Sequence, residues 1–211
     1  SGCASRGGRS ITLDECAVRT DAWSRAEPSI GVGTDVREID VRNAFGSVFV
    51  RSGPADRIDV HAVVQCLDPS AGAAHLRSRT QGERLIVDAR FDTRVPSAGW
   101  DTARGRVDLS LWIPPDRRLH LRTTTGNIEV RGMRNGVVAT TSTGNVSVAA
   151  RGAMVLTSRD GAIVAAQRDS TRLHDISART EGDISATIQN GLPVDLDASA
   201  GGPSGTDTAA L

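Results

Sequence analysis

The residues that could carry chemistry are few and scattered. The four histidines, His61, His75, His120 and His174, form no His-x-His or His-x-x-x-His pair, and none adjoins a cysteine. Ligand spacing for a transition metal is therefore missing. No Gly-x-Ser-x-Gly elbow is present to expose a serine nucleophile. Gly31-Val32-Gly33 has neither the third glycine nor the helical pattern of a dinucleotide site, and reads as a turn. Asp195-Leu196-Asp197 places two carboxylates on one strand face. Calcium wants about six to eight oxygens, so a solvated face is the better reading. Glu129 with Asp160, or Asp160 with Asp183, could supply the paired carboxylates of glycoside cleavage. The stretch from Leu121 to Ala200 has no aromatic residue to act as a sugar platform, however. The expectation is no catalytic residue, no metal and no cofactor, with an envelope polysaccharide enzyme ranked last.

Cysteine chemistry is more informative. The three cysteines are Cys3, Cys16 and Cys66, an odd number that invites one pair and one residue with another task. Ser1-Gly2-Cys3-Ala4 resembles the end of a bacterial lipobox, which would make Cys3 the lipidation site and the membrane a partner through that anchor. The plain alternative is an ordinary terminus that contains a cysteine. Ala4 to Ser10 is small and polar, the composition of a flexible tether. A lipoprotein would face the periplasm or exterior, an oxidising setting in which Cys16 and Cys66 become a possible disulfide. Two separately buried thiols are the other reading.

Bulk composition narrows the classes. Formal net charge is +0, with 25 basic and 25 acidic residues, and every basic residue is arginine. Arginine codons are GC-rich, so genome composition explains the missing lysine. A balanced charge and an aromatic share of 3% argue against a nucleic-acid partner. No apolar run approaches the ~20 residues of a membrane-spanning helix. A core must come from Val, Ile, Leu and Ala, which suits a thin, elongated, layered interior.

The elements that would position any site are strands. Thr123-Thr124-Thr125-Gly126-Asn127-Ile128-Glu129-Val130 recurs as Thr141-Ser142-Thr143-Gly144-Asn145-Val146-Ser147-Val148, then around Gly161 and Gly182. The glycines step by 18, 17 and 21 residues, with an isolated early copy at Gly46 and a weak late one at Gly201. Such self-similarity predicts an all-β fold, a single-stacked β-solenoid with irregular N-terminal strands. Gly46, Gly126, Gly144, Gly161 and Gly182 are its structural turn glycines, and the following Ile/Val alternation is that of a half-buried strand. Val36–Val41, Arg57–Val64, Leu85–Ala89 and Val107–Ile113 alternate likewise, and Ala71 to Leu76 reads as a short helical turn. The expected organisation is a tether over 1–10, the strand-repeat domain over 11–200 and a flexible tail over 201–211.

Leu109-Ser110-Leu111-Trp112-Ile113-Pro114, the following Leu119-His120-Leu121-Arg122-Thr123 and the recurring Thr-x-x-Gly-x-Ile/Val resemble a bacterial β-strand-repeat family provisionally described as adhesins, with head-GIN-like domains of unknown function. Phe45-Gly46-Ser47-Val48-Phe49-Val50 matches that family's opening rung. The resemblance covers roughly residues 35–200 and implies a fold and a cell-envelope location, with no catalytic residues. The expected function is thus a non-enzymatic, adhesin-like envelope lipoprotein that binds an envelope protein or polymer. A homo-oligomer formed by edge pairing, a self-assembling structural protein, is the alternative.

Overall fold

The computed structural model describes residues 8–16, 23–68, 71–92, 105–168, 174–188 and 194–201. The described residues form strands and no helix. In chain order the strands are β1 (Arg9–Glu15), β2 (Trp23–Ala26), β3 (Ser29–Gly31), β4 (Glu38–Phe45), β5 (Val48–Ser52) and β6 (Arg57–Cys66). Next come β7 (Ala73–Gln81), β8 (Arg84–Phe91), β9 (Gly105–Ile113), β10 (Arg118–Thr125), β11 (Ile128–Met133) and β12 (Val137–Thr143). The last six are β13 (Val146–Ala150), β14 (Met154–Asp160), β15 (Ile163–Gln167), β16 (His174–Thr180), β17 (Ile184–Ile188) and β18 (Val194–Ala200).

They make two large mixed sheets. The first runs β1-β7-β8-β4-β10-β12-β14-β16-β18, and the second runs β17-β15-β13-β11-β5-β9-β6-β2, with β3 also on β6. From β10 onward the chain alternates between the sheets, and each strand pairs in parallel with the strand two places later. Matching side chains therefore stack in columns. Val48, Ile128, Val146 and Ile163 form one, and Ile39, Leu119, Val137 and Met154 another, all buried. Inward residues of both sheets join one hydrophobic cluster of aliphatic, Met and Cys side chains, with the rings of Phe45 and Phe91 packed against its margin.

Gly46 is not an isolated echo. Its strands β4 and β5 pair in parallel with β10 and β11, so the early copy lies directly against the repeats. The segment holding β6 to β9 is inserted between that copy and the next. Here the N-terminal strands depart from the parallel pattern: β1, β7 and β8 form an antiparallel run, and β6 pairs antiparallel with β9, β2 and β3. The predicted helical turn at Ala71 to Leu76 is corrected, since Ala73 begins β7. Pairing to both β1 and β8 overrides the local preference of an alanine-rich stretch. β1 starts at Arg9, inside the expected tether.

Candidate functional site

The repeated polar residues hold the stack together from within. A Cβ on Gly126 would overlap the Gly46 carbonyl, and one on Gly144 would overlap that of Gly126. Gly161 and Gly182 sit against Gly144 and Gly161 in the same way. Both Gly126 and Gly144 also have positive φ, 146° and 140°, where a side chain is strained. The hydroxyl ahead of each glycine donates to the glycine carbonyl of the preceding copy: Thr123 to Gly46 (3.2 Å), Thr141 to Gly126 (3.1 Å), Ser158 to Gly144 (2.8 Å) and Thr180 to Gly161 (2.5 Å). Asn43 starts this series, donating from Nδ2 to the Val107 carbonyl at 2.7 Å.

A second series uses the residue after each glycine. Asp108 accepts from the Ser47 amide, Ser47 Oγ from the Asn127 amide, Asn127 Oδ1 from the Asn145 amide, and Asn145 Oδ1 from the Ala162 amide. It stops at Ala162, which has no side-chain acceptor. These contacts satisfy turn amides that strand pairing leaves over. The residues that the sequence repeats most faithfully are therefore structural.

Cys16 and Cys66 form a disulfide with Cα atoms 5.3 Å apart. Both are fully buried, and the bond joins the end of β1 in the first sheet to the end of β6 in the second. Asp14, Cys16 and Cys66 are the one grouping of three metal-capable side chains among the described residues, but its two sulfurs are bonded to each other. Cys3 lies outside the described residues, as do 202–211 of the expected tail.

The other candidates remain apart. Glu129 pairs with Arg51 and Arg131, each at 2.9 Å, in the second sheet. Asp160 ends β14 in the first sheet beside Arg159, and Asp183 lies in the turn before β17. Asp195 and Asp197 are exposed on β18, in register with Asp175 and Ser177. His61 meets Glu27 at 3.2 Å and His75 meets Asp92 at 2.8 Å.

What the sequence did not reveal is a lattice of arginines on the outer face of the first sheet. Strand register aligns Arg77, Asp88, Arg42 and Arg122 in one row across β7, β8, β4 and β10. The next row reads Arg79, Ile86, Asp40, His120, and the one after it Gln81, Arg84, Glu38, Arg118. Arg90 lies opposite His75 at the far end. This face thus carries seven arginines against four carboxylates, Glu38, Asp40, Asp88 and Asp92 just past the end of β8, within a chain of no net charge.

The carboxylates engage some of these cations. Asp40 accepts from Arg42, Glu38 from Arg84 and Arg118, and Asp88 from Arg90, while Arg77 reaches Asp92 at 2.8 Å. Arg79 and Arg122 make no ion pair among the described residues. The hydrogen bond from Arg84 holds the Glu38 carboxyl below its ordinary range, against the opposing effect of burial. Burial, and then the charges of Arg77 and Arg79, lower Arg90 from its usual value. Burial likewise lowers His120, which keeps that ring neutral near neutral pH. Ile86 points outward yet is only 4% exposed, in a groove of about 380 Å³ lined by Arg9, Arg77, Arg79 and Arg90. A second groove of about 740 Å³ opens at the start of β4 and β10, lined by Arg37, Arg84, Arg117 and Arg118 among others.

No protein-family model and no curated protein sequence matches this chain. A solved structure from Clostridium sporogenes ATCC 15579, provisionally named as a cell adhesion protein, aligns over 84% of this chain and 100% of its own length. Its sequence identity is 7% and its TM-score 0.40. At that score the likeness is loose, and nothing about this chain rests on it.

Proposed function

We propose that this chain is a non-enzymatic, adhesin-like binding scaffold of the cell envelope, with its parallel strands stacked as the rungs of a β-solenoid. The observation that carries the reading is the division of labour among polar residues. Thr123, Thr141, Ser158 and Asn127 of the repeat are turned to the bonds between copies, while the outer face of the first sheet gathers seven arginines, two of which, Arg79 and Arg122, make no ion pair among the described residues. Broad sheet faces with rigidly spaced side chains suit recognition of an extended partner. The resemblance of the repeats to the envelope strand-repeat family points the same way. The Cys16–Cys66 disulfide supports an oxidising compartment, in keeping with a lipid anchor on Cys3.

Cosedimentation of the full chain with isolated envelope material tests the reading. Saturable binding without release of glycan fragments is expected. Failure to sediment, or turnover of cell-wall glycan, overturns it. Mass spectrometry of membrane-extracted protein should find diacylglycerol on Cys3, and an unmodified Cys3 removes the anchor.

One observation favours self-assembly as a second reading. Ile184, Ala186 and Ile188 of β17 are only half-buried, whereas their counterparts Ile163, Ala165 and Gln167 in β15 are buried. Neither β17 nor β18 has a strand on its outer edge among the described residues. Such an edge can accept another strand. Concentration-dependent filaments in electron micrographs support this reading, and a stable monomer by light scattering defeats it.

A further inference from the structure

We propose that the arginine lattice on the outer face of β7, β8, β4 and β10 is a docking surface for a linear acidic polysaccharide. The inference rests on the binding reading above and names its ligand class. Backbone positions on adjacent strands lie about 5 Å apart, and those two residues apart along a strand about 7 Å, so Arg42 stands directly beside Arg122, and Arg77 and Arg79 follow one another on one face of β7. That two-dimensional array of planar donor forks suits carboxylate or sulfate groups carried on successive sugar rings.

Two of the cations, Arg79 and Arg122, flank the lattice on opposite strands, are exposed and have no acidic partner among the described residues. The remainder share too few carboxylates for neutrality. Other occupants fit less well. No Phe, Tyr or Trp stands on the lattice to stack a nucleobase, and its one large aliphatic, Ile86, is buried among arginine side chains and cannot enter a bilayer. The same sheet beyond β10 lacks the feature. Its outward residues are mainly uncharged, as at Val138, Thr140, Val155, Thr157 and Ser177, with two arginines, Arg159 and Arg179, against Asp175 and the Asp195 and Asp197 of β18.

The experiment measures binding of the full chain to heparin, polygalacturonate and neutral dextran at low and high salt. Binding to both acidic polymers, weakened by salt, and none to dextran is expected. The double substitution Arg79→Glu with Arg122→Glu should weaken binding about tenfold or more. Arg159→Glu, on the same sheet outside the lattice, should leave binding unchanged. Melting curves confirm that each variant folds. Should the charge-reversed pair misfold, Arg79→Gln with Arg122→Gln should still reduce affinity measurably.

Absence of binding to either acidic polymer at low salt overturns the inference, as does an equal loss in Arg159→Glu. So does tighter binding of duplex DNA or anionic phospholipid vesicles that is sensitive to the same double variant. Envelope binding that survives the double variant overturns this inference alone. No envelope binding by the unaltered chain removes the binding reading as well.

Discussion

The two halves of the first sheet share one backbone plane and differ in nearly everything else. From β12 to β18 every pairing is parallel, the partner strand lies about twenty residues away in sequence, and the outer face is largely Thr, Ser and Val turning acidic at its edge. From β1 to β10 the pairings are mixed and the outer face is crowded with arginine. Repetition constrains the first region, because each turn must fit against the turn before it. In the second region only β4 and β10 belong to the repeat, and the inserted β7 and β8 beside them add four of the seven arginines. The difference teaches that a regular stack supplies rigidity while the interruption supplies chemical character.

The strongest way to break this contrast is Gly144→Val. It forces a branched side chain into a positive-φ position against the Gly126 carbonyl, and should cost about 4 kcal/mol. Hydrogen exchange should show β12 to β18 opening while β6 and β9 stay protected. Gly31→Ala, with open space around the new Cβ, should change little. Next in size is the paired Cys16→Ser and Cys66→Ser change. Loss of a bond that closes 50 residues should cost about 3 kcal/mol in chemical denaturation, with faster exchange confined to β1, β2 and β6.

Thr141→Val removes one inter-rung hydroxyl and leaves the Gly126 carbonyl short of a donor, worth about 1 kcal/mol. The matching change at Thr123 should cost a similar amount, and unequal costs would show that the copies are not equivalent. The smallest effect concerns His120. Its folded pKa is depressed, so the unfolded chain binds the proton more readily, and stability is full above the ordinary histidine value of about 6.5 and declines as pH falls below it. His120→Gln should flatten that part of the thermal stability profile and leave the profile at pH 8 unchanged.

The legible parts were those written locally. Thr-x-x-Gly-Asn-Ile encodes a hydroxyl, a turn and an inward aliphatic within six residues, so the strands and turns from Thr123 onward could be read directly. The partners of β6 and β7 depend on strands far away in sequence, and nothing in Ala71 to Leu76 announces that it will be gripped from both sides. The arginine lattice was hidden for the same reason. Its members come from residues 42, 77–90 and 118–122, and only strand register makes them neighbours. A faint signal existed in the alternation Arg77-Ser78-Arg79 and Arg118-Leu119-His120-Leu121-Arg122, where every second residue is basic or histidine. A single strand of that kind is ordinary, and only four side by side make a face.

The insertion between the first two copies bears on how the molecule comes to exist. Glu38 must find Arg118 across 80 residues, whereas Val137 finds Met154 across 17. Closing the longer loop costs more chain entropy and takes more time. During synthesis from the N-terminus, β4 and β5 emerge early and wait with one edge open until β10 and β11 leave the ribosome. The later rungs then add one after another on a finished template. The expected course of assembly is a slow long-range step followed by faster local ones, and the segment that lengthens the first step carries four of the seven arginines of the face.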